Sequence, residues 1–447
     1  MVELRPYQKE IFSSVVRSVT SGAGLTFTVE IARQGGKNEL SAALEIYLAA
    51  AYGLGSEVNI VKCAPTFTPQ ARISLRRLID RLNERGFRGH YTFEGGHTVR
   101  VFGARVVFLS ADPEANVVGN TAHLLLEADE AQDIDADKFD RDFRPMAAVG
   151  NATTVLYGTP WDGGSLLEET KRRNLELERV DGVKRHFRFD WREVARYNPA
   201  YGNFVEGERV RLGDDHPVFR TQYALDSLPD GSGFLNRAQL AQMAGAHRRL
   251  GIPEKGKVYV AGLDLAGDNP GSGSDSTVLT VAEIDLATSF IGIAEPCIRV
   301  VRQYAWTGEP VTTFMPKVVD LARHWDLKRL VVDATGMGQP LASTLIQQLG
   351  SRVKPFIFTA ASKSQLAFEF LAAVNTGRVK LHTRDASPES AECWRQLEGA
   401  RAQYRPNRTI NFHVGSAKSH DDYLTSLVLT YEAASLYQPR VARGYKR

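Results

Sequence analysis

TVEIARQGGKNELSAALEIYLAAA, residues 28–51, is the most informative stretch of this sequence. It reads as a β-strand, then a tight loop with two glycines, then an amphipathic helix that begins at Lys37. In such an arrangement backbone N–H groups and the positive end of the helix dipole face a bound anion, and the lysine adds a point charge. The pattern predicts a site for the phosphates of a nucleoside triphosphate, although Gly-Gly turns also join strands to helices for purely structural reasons. The residues expected at the phosphates are Arg33, Gln34, Gly35, Gly36, Lys37 and Asn38.

Two positions depart from the usual phosphate-loop pattern. Ile31 stands where the first glycine is expected, and Asn38 stands where Ser or Thr would coordinate Mg²⁺. The amide oxygen of Asn38 can still reach a metal ion, directly or through water. The departure weakens the prediction of ATP hydrolysis without removing it.

A second motif, HLLLEADEAQ at residues 123–132, is an apolar run that ends in Asp129 and Glu130. A buried strand that delivers two carboxylates at its C-terminal end can hold Mg²⁺ on the phosphates with the first and orient the attacking water with the second. The alternative is a strand that runs into an acidic surface turn, because further aspartates follow. Strand and helix patterns alternate between Lys37 and Asp129, as a parallel sheet requires. Together the two motifs predict an ATPase that uses ATP and Mg²⁺.

Two smaller signals agree with a nucleotide site. In LRPYQKEIF, residues 4–12, the amide of Gln8 can both donate to and accept from an adenine edge; a surface Gln at a helix start is the alternative. In TTVLYGTPWDGG, residues 153–164, a strand ends in Gly-Thr-Pro. Thr159 is expected to sense the γ-phosphate, and a helix-capping threonine before proline is the alternative.

The pattern restarts near residue 256. KVYVAGLDLAG, DSTVLTVAEID and FIGIAEPCIRVVRQYAW predict three strands that pair as a meander, with Asp264 near the centre or end of the first. TTFMPKVVDLARHWDL then predicts a helix, and KRLVVDATGMG predicts a buried strand that ends in Asp333. Helices and strands alternate until SHDDYLTSLVLTYEAA, a last helix that Asp421 and Asp422 open.

Three strands followed by alternating helices and strands, with carboxylates on the first strand, the fourth strand and a C-terminal helix, indicate a ribonuclease H-like domain. Two Mg²⁺ or Mn²⁺ ions about 3.5–4 Å apart need several carboxylates from different elements, to activate water and to stabilise the leaving oxygen. The sequence therefore predicts a two-metal nuclease site. Its expected ligands are Asp264, Asp333, Asp421 and Asp422.

Each of these aspartates has a structural alternative. Asp264 can form a turn at a strand end, but an unpaired charge in so apolar a segment would be costly. Asp333 can cap a helix. Asp421 lies on the same helical stripe as Leu424 and Val428, so helix phasing favours it as the ligand.

Asp422 has the stronger structural alternative, because with Ser419 it fits a capping-box pattern. Asp268 and Asp275 follow the first strand of the second half; they can complete the metal site or serve as turn residues.

Composition sets broad limits. A chain of 447 residues with 24% charged and 43% hydrophobic residues is typical of globular proteins and long enough for two or three domains. The net charge of +3 is too small to indicate nucleic-acid binding, so a DNA-binding surface would be a local patch. One candidate helix carries such a patch, although solvated helix charges are the commoner explanation. The patch consists of Arg72, Arg76, Arg77 and Arg81.

The three cysteines, Cys63, Cys297 and Cys393, are isolated. Their spacing predicts neither disulfides nor a structural zinc site, which fits a reducing cytosol. No signal peptide and no apolar run of the roughly 18 residues needed to span a membrane are visible. We therefore expect no membrane partner.

The motifs taken together resemble the large terminase subunit of tailed bacteriophages, the DNA-packaging ATPase and nuclease. The resemblance spans nearly the whole chain: RPYQ, RQGGKNE, ADEAQ and the Gly-Thr-Pro segment, then GLDLAG, VVDATG and HDDY in family order. It implies that Lys37 binds phosphates, that Asp129 holds the metal and that Glu130 activates water. It implies that Thr159 couples hydrolysis to movement. Asp264, Asp333, Asp421 and Asp422 are then implied as ligands of the nuclease metals.

The resemblance also implies partners and a location. It implies translocation of double-stranded DNA into a procapsid by a homo-oligomeric ring on the portal protein, with a small terminase subunit for genome recognition and a monomer possible in solution. The expected location is the cytoplasm of the infected bacterial host, transiently at the procapsid portal. Some relatives carry an arginine before the acidic motif that acts on a neighbour's ATP, and this sequence lacks it. Arg33 can supply charge in cis. The candidates in trans are Arg105, Arg141 and Arg144.

The expected fold is α/β, with an N-terminal P-loop (RecA/ASCE-like) ATPase domain followed by a C-terminal ribonuclease H-like nuclease domain. We expect the ATPase domain, with a linker subdomain near its end, over residues 1–230 and a linker over 231–255. The nuclease domain is expected over 256–437 and a basic tail over 438–447. Two other functions remain: a DNA-repair helicase with a fused nuclease, and a non-catalytic, nucleotide-gated portal scaffold. The helicase is disfavoured because no second RecA-like lobe is visible in the sequence.

Overall fold

The computed structural model describes residues 3–117, 119–161, 164–228, 233–265, 276–285, 295–405, 408–415 and 420–437. The expected basic tail, Asp268, Asp275 and Ser419 lie outside the described residues. The chain divides into two compact units. The first comprises Met1–Gly207 and Pro217–Pro229, and the second comprises Glu208–His216 and Asp230–Arg447.

The first unit is built on an eight-stranded sheet in the order β3-β4-β5-β2-β6-β7-β1-β8. Its strands are β1 (Thr26–Ile31), β2 (Val58–Ala64), β3 (Tyr91–Glu94), β4 (Thr98–Val101), β5 (Ala104–Ser110), β6 (Leu125–Ala128), β7 (Thr153–Gly158) and β8 (His186–Phe189). Its helices are α1 (Pro6–Thr20), α2 (Lys37–Tyr52), α3 (Arg72–Glu84), α4 (Ala136–Lys138), α5 (Leu166–Asp181), α6 (Trp191–Tyr197), α7 (Pro199–Leu212) and α8 (Pro217–Phe219), of which α7 ends in the residues of the second unit.

Along the sheet, the six neighbouring strands β5, β2, β6, β7, β1 and β8 are parallel. β3 and β4 add an antiparallel edge. The central strands are apolar and buried on both faces, as expected for a parallel sheet that is covered by helices. The carboxyl ends of β1, β6 and β7 therefore meet at one edge of the sheet. The loop, the acidic motif and the Gly-Thr-Pro segment all follow these three strands.

Residues 165–189, in the later part of the predicted ATPase domain, complete this sheet. β8 pairs in parallel with β1. Glu178 on α5 accepts hydrogen bonds from the backbone N–H groups of Arg185 and His186 at 2.5 Å each, which fixes the turn between α5 and β8. This edge strand is only four residues long and contains no hydrophobic run from which it could be predicted.

The second unit is built on a six-stranded sheet in the order β13-β12-β9-β10-β11-β14. Its strands are β9 (Val258–Asp264), β10 (Ser276–Asp285), β11 (Cys297–Thr307), β12 (Arg329–Asp333), β13 (Val353–Phe356) and β14 (Val379–Leu381), and β15 (Ala400–Tyr404) and β16 (Ile410–Val414) form a separate hairpin. Its helices are α9 (Arg237–Met243), α10 (Val311–His324), α11 (Gly338–Leu349), α12 (Ala360–Asn375), α13 (Pro388–Gly399) and α14 (Asp422–Ser435).

The predicted meander of β9, β10 and β11 is present, because both pairs are antiparallel. β12 then pairs in parallel with β9. Tyr259, Ala261 and Leu263 on β9 pack in the hydrophobic core beneath α10 and α11. Val260 faces the opposite core, to which α12, α13 and α14 contribute. Each face of the sheet thus has its own apolar layer.

We expect a linker over 231–255. The described part of this stretch, 233–255, belongs to the second unit and packs against the rest of it. Phe234, Leu235 and Met243 are buried in the same core as α12 and α14. The backbone N–H of Gly245 donates to the carbonyl of Leu381 at 2.8 Å, which ties the segment to β14. The aromatic ring of Phe234 stacks on Phe412 with centroids 5.0 Å apart.

Candidate functional site

The predicted phosphate loop lies between β1, which ends at Ile31, and α2, which begins at Lys37. Gly36 has a left-handed backbone with φ +96°, which glycine adopts most easily. A Cβ on Gly35 would lie 2.7 Å from the carbonyl oxygen of Ala32. Both glycines are therefore needed for the tight loop that leaves the N-terminus of α2 open to an anion.

The side chains of Tyr7 and Gln8 on α1 hold this loop from outside. The hydroxyl of Tyr7 donates to the carbonyl of Gly35 at 2.6 Å. The Nε2 of Gln8 donates to the carbonyl of Gly36 at 2.9 Å, and its Oε1 accepts from the backbone N–H of Arg5 at 2.8 Å. Gln8 is thus part of the loop support in this structure, and its contact with adenine stays a prediction.

Asp129 and Glu130 follow β6 directly, as the acidic motif predicts. Glu130 has a left-handed backbone, with φ +50°. Its Oε1 lies 3.2 Å from the Nζ of Lys37, and the two side chains are 28% and 11% exposed. The lysine of the loop and the carboxylate expected to orient water therefore lie at the same edge of the sheet.

Asp129 is held differently. Its Oδ2 accepts a hydrogen bond from the hydroxyl of Ser74 on α3 at 3.0 Å, and its Oδ1 accepts from the backbone N–H of Glu130 at 3.1 Å. Its own backbone N–H donates to the carbonyl of Cys63 at the end of β2. Both carboxylate oxygens are therefore oriented by hydrogen-bond donors. Ser74 was missed from sequence, since 55 residues separate it from Asp129 and nothing local marks it.

Thr159 lies where β7 ends, close to the acidic motif. Its backbone N–H donates to the Oε1 of Gln132 at 3.1 Å, and its hydroxyl accepts from the Nε2 of Gln222 at 3.0 Å. The Nε2 of Gln132 donates in turn to the Oε2 of Glu130 at 2.8 Å. Neither glutamine was named from sequence. Gln132 ends the ADEAQ motif, which is a usable signal, whereas Gln222 lies 63 residues from its partner.

A buried ionic cluster lies in the core between α2 and the central strands. The Nζ of Lys62 is 3.6 Å from Glu45 and donates to the hydroxyl of Ser41 at 2.7 Å. Glu127 accepts from Ser41 at 2.7 Å and from the hydroxyl of Tyr157 at 2.8 Å. Burial, and then repulsion by Glu45, raise the pKa of Glu127 to about 8. This cluster joins the helix of the phosphate loop to the strand of the acidic motif.

The four arginines of the candidate patch on α3 differ in their contacts. Glu39 on α2 accepts ion pairs from Arg77 at 2.8 Å and from Arg81 at 2.7 Å. Those two guanidinium groups therefore join α2 to α3. Arg72 and Arg76 remain exposed.

The candidates for an arginine acting in trans are also in ion pairs. Arg141 pairs with Asp142 at 2.8 Å, and Arg144 pairs with Asp140 at 2.7 Å. Arg105 lies 3.9 Å from Glu94. Arg33 has an exposed side chain within the phosphate loop. A role in hydrolysis stays a prediction for each of these arginines.

In the second unit, the predicted metal ligands come together at one edge of the sheet. Asp264 ends β9 and is 9% exposed. Burial raises the pKa of Asp264 well above its ordinary value, and repulsion by the carboxylates of Asp422, Asp333 and Asp421 raises it further. Lys363 opposes this effect as the last of the contributing groups. Four carboxylates from β9, β12 and the start of α14 thus act on one another.

The close approach of α14 to β9 explains this convergence. A Cβ on Gly262 would overlap with the backbone of Ser426 and Thr430. The backbone N–H of Gly262 donates to the hydroxyl of Thr430 at 3.0 Å, and its carbonyl accepts from the hydroxyl of Ser426 at 2.9 Å. Because the helix lies directly on Gly262, its first residues reach the end of β9, two residues further along the strand.

The two aspartates of α14 differ in their contacts. Asp421 is the N-cap residue of the helix but makes no capping hydrogen bond with its side chain, and it lies 3.9 Å from the Nζ of Lys363. Asp422 is the first helical residue, and its Oδ2 accepts from the backbone N–H of Ser276 at 2.9 Å. Asp422 also has the largest electrostatic effect on Asp264 of the three other aspartates. The capping-box alternative would make Ser419 the N-cap residue and place Asp422 three residues after it. In the structure the N-cap residue is Asp421, and Asp422 follows it directly.

Asp333 does not cap a helix. The N-cap residue of α11 is Met337, and Asp333 Oδ1 instead accepts from the backbone N–H of Thr335 at 2.8 Å. This turn follows the end of β12 and leaves the second carboxylate oxygen of Asp333 available for another partner, because an ionised carboxylate can accept several hydrogen bonds or ligate a cation.

The chemistry of this set fits divalent cations. Carboxylate oxygens are the ligands that Mg²⁺ and Mn²⁺ prefer, and the mutual repulsion around Asp264 is what a bound cation would relieve. Within the described ranges, however, no three carboxylate, imidazole or thiolate groups are already close enough to enclose an ion. The role of these aspartates as metal ligands therefore stays a prediction.

Two sheets with these sites define a class of two-domain α/β protein, with a P-loop-type unit followed by a ribonuclease H-like unit. Residues 261–434 match the family described as the terminase RNaseH-like domain. The chain is similar in fold to the large terminase of a thermophilic bacteriophage, with a TM-score of 0.54 and 12% sequence identity over 97% of this chain and 99% of that chain. The complex of that terminase with ADP gives a TM-score of 0.52 at 12% identity and the same coverage.

The large terminase of bacteriophage HK97 is 15% identical over 97% of this chain and 95% of that chain, with a TM-score of 0.44. No curated protein sequence matches the chain. Residues 261–434 thus match the terminase RNaseH-like domain, and the whole chain is similar in fold to a phage large terminase. These findings confirm the predicted fold class and the resemblance on which it was based.

Among the helices that the structure describes, none is both long enough and apolar enough to cross a lipid bilayer.

Proposed function

We propose that this chain is a viral DNA-packaging motor, in which ATP hydrolysis drives double-stranded DNA into a procapsid and a two-metal endonuclease cuts the genome concatemer. The observation that carries the proposal is the meeting of Lys37 with Glu130 at one sheet edge, in a chain whose other sheet gathers three further aspartates around Asp264. The solved complexes of the thermophilic phage's large terminase with ADP and with ATP-γ-S support ATP as the ligand of the first unit.

In the ATPase unit, each residue has a role that follows from its position. The open N–H groups at the start of α2 and the ammonium of Lys37 bind the phosphates. Asp129, held by Ser74, would hold Mg²⁺. Glu130 orients the attacking water, and its ion pair with Lys37 supports this role. Thr159 passes the change at the phosphates to DNA movement.

In the nuclease unit, Asp264, Asp333, Asp421 and Asp422 would hold Mg²⁺ or Mn²⁺. Bound there, the ions would supply an activated water and stabilise the oxygen that leaves the scissile phosphate. The protein provides carboxylates on separate elements, which are set in place by the contact of α14 with Gly262. Of the two aspartates on α14, we propose Asp422 as the nearer partner of Asp264.

The remaining parts of the proposal concern organisation and partners. We assign residues 1–230 to the ATPase and 256–437 to the nuclease, with 231–255 packed on the nuclease. The partners would be double-stranded DNA, a portal protein and a small terminase subunit, with a homo-oligomeric ring forming during packaging. The location would be the cytoplasm of the infected host and, transiently, the procapsid portal.

The test uses the full chain and two variants that separate the activities. Lys37→Ala should abolish ATP turnover and leave nicking of supercoiled plasmid with Mn²⁺ intact. Asp264→Ala should do the reverse. Plasmid nicking that persists in Asp264→Ala would overturn the nuclease site, and ATP turnover that persists in Lys37→Ala would overturn the ATPase site.

The same preparations test the two rival functions. A helicase with a fused nuclease would separate the strands of a labelled duplex when ATP is added, whereas a packaging motor translocates without unwinding. A portal scaffold without chemistry would show neither nicking nor ATP turnover in the unaltered chain.

A further inference from the structure

Four hydrogen bonds connect the carboxylate expected to orient water with the loop expected to hold the phosphates. From Glu130 the path runs through the side chain of Gln132 to Thr159 and from there to the side chain of Gln222. The backbone carbonyl of Gln222 then accepts from the backbone N–H of Arg33. The distances are 2.8, 3.1, 3.0 and 2.8 Å. All of these residues lie in the first unit.

The first step of this path fixes one half of the Glu130 carboxylate. Its Oε2 accepts from the Nε2 of Gln132, while its Oε1 faces Lys37 at 3.2 Å. The same Nε2 donates to Asp133 at 3.0 Å. Gln132 is 2% exposed, so its amide competes little with water for these partners. A carboxylate that is held at both oxygens has a defined orientation toward the phosphate edge.

The second step requires an amide at position 132. The Oε1 of Gln132 accepts from the backbone N–H of Thr159, so one side chain must accept at one end and donate at the other. Gly158 leaves the room for it, because a Cβ at this position would overlap with the Oε1 of Gln132 and lie 2.6 Å from Leu167. The glycine before Thr159 is thus needed for the contact.

The third step returns to the phosphate loop. Gln222 is 6% exposed and donates from its side-chain Nε2 to the hydroxyl of Thr159, while its backbone carbonyl accepts from the backbone N–H of Arg33. The hydroxyl of Tyr201 donates to the carbonyl of Arg33 at 2.9 Å and fixes the same peptide. A shift of Glu130 would therefore act on Thr159 through Gln132, and a shift of the phosphate loop would act on it through Gln222.

We infer that Gln132 and Gln222 form an amide relay in which Gln132 positions Glu130 for water activation and both glutamines link Thr159 to the state of the phosphate loop. The inference rests on the proposed ATPase function and deepens it. Gln132 and Gln222 are positioning residues: they act through Glu130 and Thr159 and do not themselves contact the nucleotide. Misplacement of a catalytic group by about 1 Å can lower a rate by about 10²-fold.

The test measures steady-state ATP turnover of the full chain with and without double-stranded DNA. Gln132→Leu removes the side-chain hydrogen bonds to Glu130, Asp133 and Thr159. It should lower kcat by about 10²-fold and leave the KM for ATP within a factor of about three, since the phosphate contacts remain. Gln132→Glu, which keeps the size but places a second carboxylate beside Glu130, should lower kcat similarly. It serves as the second variant if the leucine variant does not fold.

Asn174→Leu is the matched control. Asn174 is also a buried amide of the first unit, 2% exposed, and its Nδ2 donates to Thr28 at 3.1 Å, outside the relay. This variant should also lower stability, because it loses a buried hydrogen bond, while its kcat stays within about twofold of that of the unaltered chain.

Combining Gln132→Leu with Gln222→Leu tests the relay itself. Residues that act as one unit are not additive, so the double variant should be little slower than Gln132→Leu alone. Additive losses, or a Gln132 variant with unchanged kcat, would overturn the relay while Lys37→Ala still abolishes turnover. If the unaltered chain hydrolyses no ATP at all, the proposed function fails and the relay fails with it.

Discussion

In the first unit, the carboxylates at the strand ends have cationic, hydroxyl or amide partners from the protein itself, whereas in the second unit Asp264 faces mainly other carboxylates. Glu130 is paired with Lys37 and Gln132, and Asp129 with Ser74. Around Asp264, the described residues provide three repelling aspartates and, as the smallest contribution, Lys363. The first site is thus organised by side chains of the protein itself, whereas the aspartates around Asp264 repel one another, and a bound cation would relieve that repulsion.

The largest expected effect concerns the balanced site. Glu130→Gln removes the charge that pairs with Lys37 and the group proposed to activate water, so kcat for ATP should fall by about 10²–10⁴-fold. Phosphate release measures this, and plasmid nicking should be unchanged. The control is Glu57→Gln, a surface carboxylate paired with Arg100, which should keep the full rate. Near-normal turnover in Glu130→Gln would mean that the Lys37 pair is only structural.

The next effect concerns the contact that creates the repulsive site. Gly262→Ala places a methyl group against the backbone of α14 and should lower the free energy of unfolding of the second unit by roughly 3 kcal/mol, with loss of nicking. Urea unfolding measures the change. Gly251→Ala is the control, because a Cβ there meets nothing within 4 Å. If both variants unfold alike, the close approach of α14 does not hold the aspartates together.

A smaller effect tests the repulsion directly. Asp264→Asn removes the buried charge and should raise the unfolding free energy without metal by about 1–2 kcal/mol. Mg²⁺ should stabilise the unaltered chain by about 2.7 kcal/mol at 100 times its Kd, but not this variant. Thermal unfolding with and without Mg²⁺ measures both. Asp320→Asn, with a side chain 79% exposed, is the control and should keep the Mg²⁺ response. A stabilising effect of Mg²⁺ on Asp264→Asn would contradict this account of the site.

The smallest effect concerns Glu127, a carboxyl of the first unit whose pKa is raised to about 8, like that of Asp264 in direction. A group with a raised pKa in the folded state stabilises fully below its unfolded pKa, and this contribution is lost as the pH rises through about 8. Stability should therefore fall by roughly 1–3 kcal/mol between pH 5 and 9, and Glu127→Gln should flatten that fall. Urea unfolding across this pH range measures it, with exposed Glu176→Gln as the control. An equally steep fall in Glu127→Gln would assign the pH dependence to other groups.

Local patterns predicted the parts of the molecule that depend on neighbouring residues. The strand, loop and helix around Lys37 follow from a few consecutive residues, and so does the meander that carries Asp264. The pattern of apolar residues predicted strands such as β9, and the acidic motif predicted where β6 ends.

Contacts between distant parts of the chain were not predictable in this way. Ser74 meets Asp129 across 55 residues, Gln222 meets Thr159 across 63, and Thr430 meets Gly262 across 168. These residues are of common types that occur in many roles, and their partners are determined by the packing of the folded chain. For the same reason helix phasing favoured Asp421, whereas the packed position of α14 gives Asp422 the larger effect on Asp264.

The close contact between Gly262 and α14 determines two properties of the second unit, its packing and the position of its aspartates. The absence of a side chain there both closes the apolar layer and sets how far Asp422 stands from Asp264. Natural variation that keeps this unit foldable will therefore also keep its acidic residues in register, even in a lineage where cutting DNA is no longer under selection. Loss of nuclease activity during evolution should accordingly proceed through replacement of the aspartates themselves while the scaffold beneath them persists.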